Sequence, residues 1–89
     1  MADRSAWEIE VDRGPDWLFV RLYPGAGDPS DIAERLWSAA DRHFIYRIVL
    51  EMDHVDLMPS RLMGQLVMLH KRVLQYEGAL RLTGLSPST

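Results

Sequence analysis

Ser60 is the side chain on which this sequence offers the most specific chemistry. It follows the segment Asp53-His54-Val55-Asp56-Leu57-Met58-Pro59 and precedes apolar residues at helical spacing, which places it at a helix start. A serine there has two uses. Its hydroxyl can cap the helix by accepting a hydrogen bond from a free N–H of the first turn. It can also accept a phosphoryl group, because a phosphate at that point meets unpaired N–H groups and the positive end of the helix dipole. Such a modification adds nearly two negative charges to whatever surface surrounds it, enough to repel or recruit a partner.

The other chemistry-bearing residues are less specific. Glu51, Asp53, His54 and Asp56 could ligate a metal or exchange protons, but their spacing matches no ligand motif, and an acidic loop after a strand is ordinarily solvated. A polar docking face beside Ser60 suits them better. His43 and His70 have no serine or aspartate at a catalytic spacing. Gly25 and Gly27 form a G-x-G without the third glycine of a dinucleotide loop, and no Gly-Lys-Ser/Thr follows. Met52, Met58, Met63 and Met68 flank or lie on the second helix. Methionine at such spacing commonly fills a core, whereas exposed methionine makes an adaptable protein-binding surface, and Met58 and Met63 are best placed for that. The reading is therefore of a binding protein and not an enzyme, with no cofactor and no metal.

Composition narrows the class. A chain of 89 residues, 47% hydrophobic and 26% charged, fits one folded domain spanning residues 1–89. A formal net charge of -3 with scattered Lys and Arg argues against nucleic acid and against an acidic membrane surface. The absence of cysteine removes disulfides and thiolate chemistry. With no apolar run near a membrane-span length and a polar beginning, the expected address is the cytoplasm.

The elements that must position Ser60 can be read from periodicity. Trp7, Ile9 and Val11 alternate with Glu8, Glu10 and Asp12, which predicts a strand. Arg13-Gly14-Pro15-Asp16 predicts a turn in which Gly14 supplies a positive φ, and Trp17–Tyr23 predicts the second strand of an antiparallel hairpin. Leu18, Val20 and Leu22 point one way; Trp17, Phe19, Arg21 and Tyr23 point the other. After the Pro24–Gly27 loop, Asp28 suits an N-cap with Pro29 as the first helical residue, and the stripe Ile32, Ala33, Leu36, Trp37, Ala40 predicts a helix ending near His43. Arg47–Met52 reads as a buried central strand. A second helix is predicted from about Ser60 to about Glu77. Its core stripe is Leu62, Leu66, Leu69 and Val73, widened by Met63, Val67 and Leu74, and Gly78 is its left-handed C-cap. Ala79–Thr83 is the last strand. The fold class is α/β, with a mixed four-stranded sheet: the hairpin, then strands paired in parallel through right-handed crossovers.

The run RIVLEMDHVDLMPSRLMGQLVMLHKRVLQYEGALRLTGLSP, Arg47 to Pro87, resembles the STAS domain of bacterial anti-sigma factor antagonists. Val55-Asp56-Leu57-Met58 fits that family's loop after a buried strand. Leu66 to Lys71 fits its helix, and Gly78 to Pro87 fits its Gly-led last strand and G-L-S-P ending. The resemblance covers nearly the whole chain in element order. It implies function through protein–protein binding, the partner being an anti-sigma factor with serine kinase activity. That kinase phosphorylates a serine at the start of the second helix, which matches Ser60. Pro59, Arg61 and Leu62 stand where the family carries Asp, Ser and Gly, so the phosphorylation-loop motif is degenerate. The partner-binding surface implied is Asp56, Met58, Pro59, Ser60, Arg61, Met63 and Gly64. Family members continue into a further helix after the G-L-S-P segment. With the sequence ending at Thr89, the expectation is that this helix is missing or that the chain has been cut, and that the surface left uncovered favours a homodimer or an element borrowed from another chain. The alternatives are a STAS-like scaffold that assembles without phosphorylation, and a small-molecule or nucleotide sensor using the loops at the strand ends.

Overall fold

The structure is a computed structural model that describes residues 6–85. The Gly-led ending of the family resemblance therefore lies outside the described residues from Ser86 onward. The alternating residues of Glu8–Arg13 (β1) and Leu18–Tyr23 (β2) form the antiparallel hairpin, with Ile9 opposite Leu22 and Val11 opposite Val20. The turn contains Pro15 and Asp16 and is closed by the Gly14 N–H donating to the Trp17 carbonyl at 2.9 Å. Gly14 does not take a positive φ, contrary to the expectation. A residue before proline is pushed toward extended backbone. Glycine suits the position because a Cβ would lie 3.0 Å from the Trp17 carbonyl oxygen and from the Phe19 ring.

Ile32–His43 (α1) begins later than the sequence suggests. Asp28 is not its N-cap: its Oδ1 accepts from the Ser30 N–H at 3.0 Å, and the Ile32 N–H donates to the Pro29 carbonyl at 3.1 Å. Aspartate offers the backbone this local bond as an alternative to helix, so one tight turn precedes the helix proper. Arg47–Glu51 (β3), Ser60–Leu74 (α2) and Ala79–Thr83 (β4) complete the chain order. Both β2–β3 and β3–β4 pair in parallel, and the sheet order is β1-β2-β3-β4.

That order settles the layering. Each crossover steps one strand in the same direction, and right-handed crossovers stepping the same way place their helices on the same face. Leu18, Val20 and Leu22 of β2 and Ile48 and Leu50 of β3 are accordingly sealed beneath α1 and α2. Leu62, Leu66, Leu69 and Val73 of α2 and Ile32, Leu36 and Trp37 of α1 face them. Each such side chain contributes about 1.5–3 kcal/mol of burial. Phe19, Arg21 and Tyr23 lie on the opposite face, which no element of the described residues covers.

Both helices end in the same way. Phe44 and Glu77 adopt left-handed φ angles of 56° and 58°. The Ile45 N–H donates back to the Ala40 carbonyl and the Gly78 N–H to the Val73 carbonyl, at 3.1 and 2.8 Å. This pairing satisfies carbonyls that a helix end would otherwise leave orphaned. The left-handed residue after α2 is therefore Glu77 and not Gly78. Gly78 is required for a different reason. A Cβ there would lie 2.0 Å from the Tyr46 carbonyl oxygen, so only glycine lets β4 start against β3.

Candidate functional site

Parallel pairing of β2, β3 and β4 sends their carboxyl ends to one edge of the domain, where open α/β sheets commonly bind. The loops after β2 and β3 and the start of α2 meet there. Trp7 anchors this end. It is buried, its indole Nε1 donates to the Gly27 carbonyl at 2.9 Å, and its own carbonyl accepts from Arg35 of α1. The 25–29 loop is thereby tied through Trp7 to α1. Arg61 fastens the other side, donating to Asp28 at 2.8 Å. Trp7, Gly27, Asp28, Pro59, Ser60 and Arg61 are among the residues that surround a shallow depression of about 510 Å³.

Ser60 is the first residue of α2 and is exposed. It does not cap the helix, contrary to one of its two expected uses. Pro59 occupies the N-cap position in extended conformation, ψ 149°, and the helix has no side-chain cap. Proline has no side-chain acceptor, and its fixed φ places Ser60 one residue inside the helix, where the hydroxyl is left to solvent. The first turn of α2 also contains no acidic residue. The positive end of the helix dipole is therefore not neutralised from within the helix.

The apolar stripe of α2 divides into two. Leu62, Leu66, Leu69 and Val73 are buried, but Met63, Val67 and Leu74 do not widen the core as expected: all are about half exposed. Met63 and Val67 lie on the side toward β4, one helical step from the core stripe. Met58, Met63, Leu66, Val67, His70, Leu80 and Leu82 line a groove of about 220 Å³ between α2 and β4. Met58 is half-buried in it and Met63 is exposed at its rim, while Met52 is fully buried and fills the core. Gly64 lies on the exposed surface of the same helix, and a Cβ there would meet nothing within 4 Å.

The docking residues expected from the sequence are thus brought together in part. Pro59, Ser60 and Arg61 share the depression, and Met58 and Met63 share the groove. Asp56 and Gly64 are exposed and line neither. Asp53, His54 and Asp56 are exposed, and His54 stacks on Tyr23 with ring centroids 4.8 Å apart. Among the described residues, no group of three or more His, Asp or Glu side chains is placed to hold a metal. No helix among them is long and apolar enough to cross a membrane.

Two contributors have no signal in the sequence. Trp7 reads there as an alternating strand residue, and nothing local distinguishes an indole that reaches a loop 20 residues away. Gln65 carries no local signal either, yet its Oε1 accepts from the Ala33 N–H at 2.9 Å and so caps the first turn of α1 from the other helix. No protein-family model matches this chain, and no curated protein matches it.

Proposed function

We propose that this chain is a protein-binding regulatory domain of the partner-switching kind, resembling anti-sigma factor antagonists. It docks through the start of α2 and the adjoining groove, and phosphorylation of Ser60 by a serine-kinase partner switches it. One observation carries the reading: the Ser60 hydroxyl is exposed at a helix start that it does not cap, beside an apolar groove with exposed methionine at its rim. A serine held only for capping would be bonded to its own first turn. Methionine at a groove adapts its shape to a partner at little cost in strain.

The switch has a physical route. A phosphate on Ser60 brings a charge of about -1.5 to -2 next to Arg61. Arg61 is exposed, and its bond to Asp28 is a surface ion pair worth at most about 1 kcal/mol. The dianion outcompetes the Asp28 carboxylate for the guanidinium. The tie between α2 and the loop after β2 is released, and the docking surface changes both charge and shape.

The test is the phosphorylation state of Ser60 in protein isolated from its native cells, measured by mass spectrometry with complete coverage of the site. Phosphate that varies with growth conditions is the expected result. A Ser60 that is never modified, together with unchanged partner capture by Ser60→Asp, overturns the switch and leaves a constitutive binding module.

A further inference from the structure

The face of the sheet that the described residues leave uncovered has a charge order that is read directly from the strand register. Across β1, β2, β3 and β4 one row runs Asp12, Phe19, Val49, Arg81. Its ends carry opposite charges and its middle is apolar. The next row runs Glu10, Arg21, Glu51, Thr83. Arg21 is committed within the chain to Glu10 at 2.5 Å and lies 3.4 Å from Glu51. No salt bridge among the described residues includes Arg47 or Arg81; both rest over the Trp17 ring at 5.6 and 5.3 Å. The face is therefore acidic along β1 and basic near β4.

We infer that this face binds a second copy of the same chain, about a two-fold axis running along the strands between β2 and β3. Such an axis lays each row upon its own reverse. Asp12 then meets Arg81 of the other copy, twice over, and Phe19 meets Val49. Arg21 meets a second Glu51, and Trp17 meets Arg47. Every row is complementary to itself under this operation, as an isologous interface requires. An axis across the strands would instead set Asp12 on Asp12 and Arg81 on Arg81. Pairing of β1 edges is opposed in the same way, since Glu8, Glu10 and Asp12 would crowd their own copies. Two sheets stacked face to face bury such a layer between them with their strands nearly aligned.

The face measures about 19 Å across its strands and about 17 Å along them, from ordinary strand spacing and rise. That is small for a permanent dimer, so the association is concentration-dependent and salt-sensitive. The interface lies on the side of the sheet away from α1 and α2, and it stands or falls independently of Ser60.

Sedimentation equilibrium on the full chain, from about 10 μM to about 1 mM protein at low salt, tests it. The expected result is a monomer–dimer equilibrium. Asp12→Arg and Arg81→Asp should each weaken it at least about ten-fold, and the double variant should restore it to within about three-fold, because the swap rebuilds both pairs. Both changes are at exposed positions, and far-UV circular dichroism checks that the fold is kept. A chain that is monomeric at about 1 mM overturns the inference. So does a dimer that ignores both single changes and Val49→Glu, or one that is lost with Met63→Lys instead, which would place the contact on the α2 groove.

Discussion

Gly64→Ala should stabilise the domain, and the size of the gain follows from the structure. Gly64 is the fifth residue of the fifteen in α2, well inside the helix, and exposed. A glycine there costs about 0.8–1.0 kcal/mol relative to alanine, because the unfolded chain has more backbone freedom to lose. Whether that gain is realised depends on what the new methyl group touches. Nothing lies within 4 Å of the position a Cβ would take, so no strain subtracts from it. For a domain of this size, about 1 kcal/mol corresponds to about 4–8 °C in Tm. The assay is thermal unfolding by circular dichroism, with urea unfolding to confirm that m is unchanged. An unchanged or lowered Tm would contradict this, since it would mean that the helix is distorted there or that the site is covered. The same variant addresses function. A helix that keeps a glycine on its open surface forgoes that stability, and close approach of a partner backbone is a physical reason to do so. Gly64→Gln, which adds bulk at comparable helix propensity, should then reduce partner capture while leaving Tm at or above the wild-type value.

Three further outcomes are expected. Gly78→Ala should destabilise by about 2 kcal/mol or more, because its Cβ would lie 2.0 Å from the Tyr46 carbonyl oxygen and backbone cannot yield as a side chain can; urea unfolding checks it, and a change within about 0.5 kcal/mol would contradict the close approach. Phe44→Gly should stabilise by about 0.5–1 kcal/mol, since glycine takes the left-handed φ of 56° without steric cost and the ring it removes is mostly exposed. The Tyr46 hydroxyl should ionise above the ordinary phenol range, because it donates to Asp41 at 2.8 Å, with partial burial and the Asp41 charge acting the same way. Its contribution to stability is complete below the unfolded phenol pKa of about 10 and is lost as pH rises through the folded value. Ultraviolet titration of the phenolate reads this, and Asp41→Asn should move the transition down.

The strands, the helices and their order are legible in the sequence because burial on one side only writes a period into it. Leu18, Val20 and Leu22 alternate, Leu62, Leu66, Leu69 and Val73 recur at helical spacing, and both sets are buried. Where sequence and structure part, the cause is different. For Asp28, Gly14 and Gly78 the residue type suggests its commonest local role, whereas each is placed by a contact. For Asp28 this is a short bond that competes with helix, and for the glycines it is the nearness of another carbonyl. The exposure of Met63 and Val67 is equally hidden. Their spacing suits a wide core face, and only the position of β4 relative to α2 leaves them outside it. At the candidate site, Ser60 is legible from its place before an apolar run, but its freedom from capping depends on Pro59 holding the position one residue earlier. The depression itself joins three separate stretches, Trp7, Gly25–Pro29 and Pro59–Arg61, and has no signature in any one of them.

The parallel pairing of β3 with β4 also has a consequence for biosynthesis. β3 is a central strand, yet one of its two edges is supplied by the element that follows α2 in the chain. Until Ala79–Thr83 has been made, Arg47–Glu51 can pair on one side only, and the apolar side chains of its inner face lack their neighbours Leu80 and Leu82. A nascent chain arrested between these points displays an open, β-branched edge of the type that recruits foreign strands. Closure of the sheet thus waits on its last strand, and a nonsense or frameshift lesion anywhere in α2 should yield an aggregating product rather than a smaller folded one.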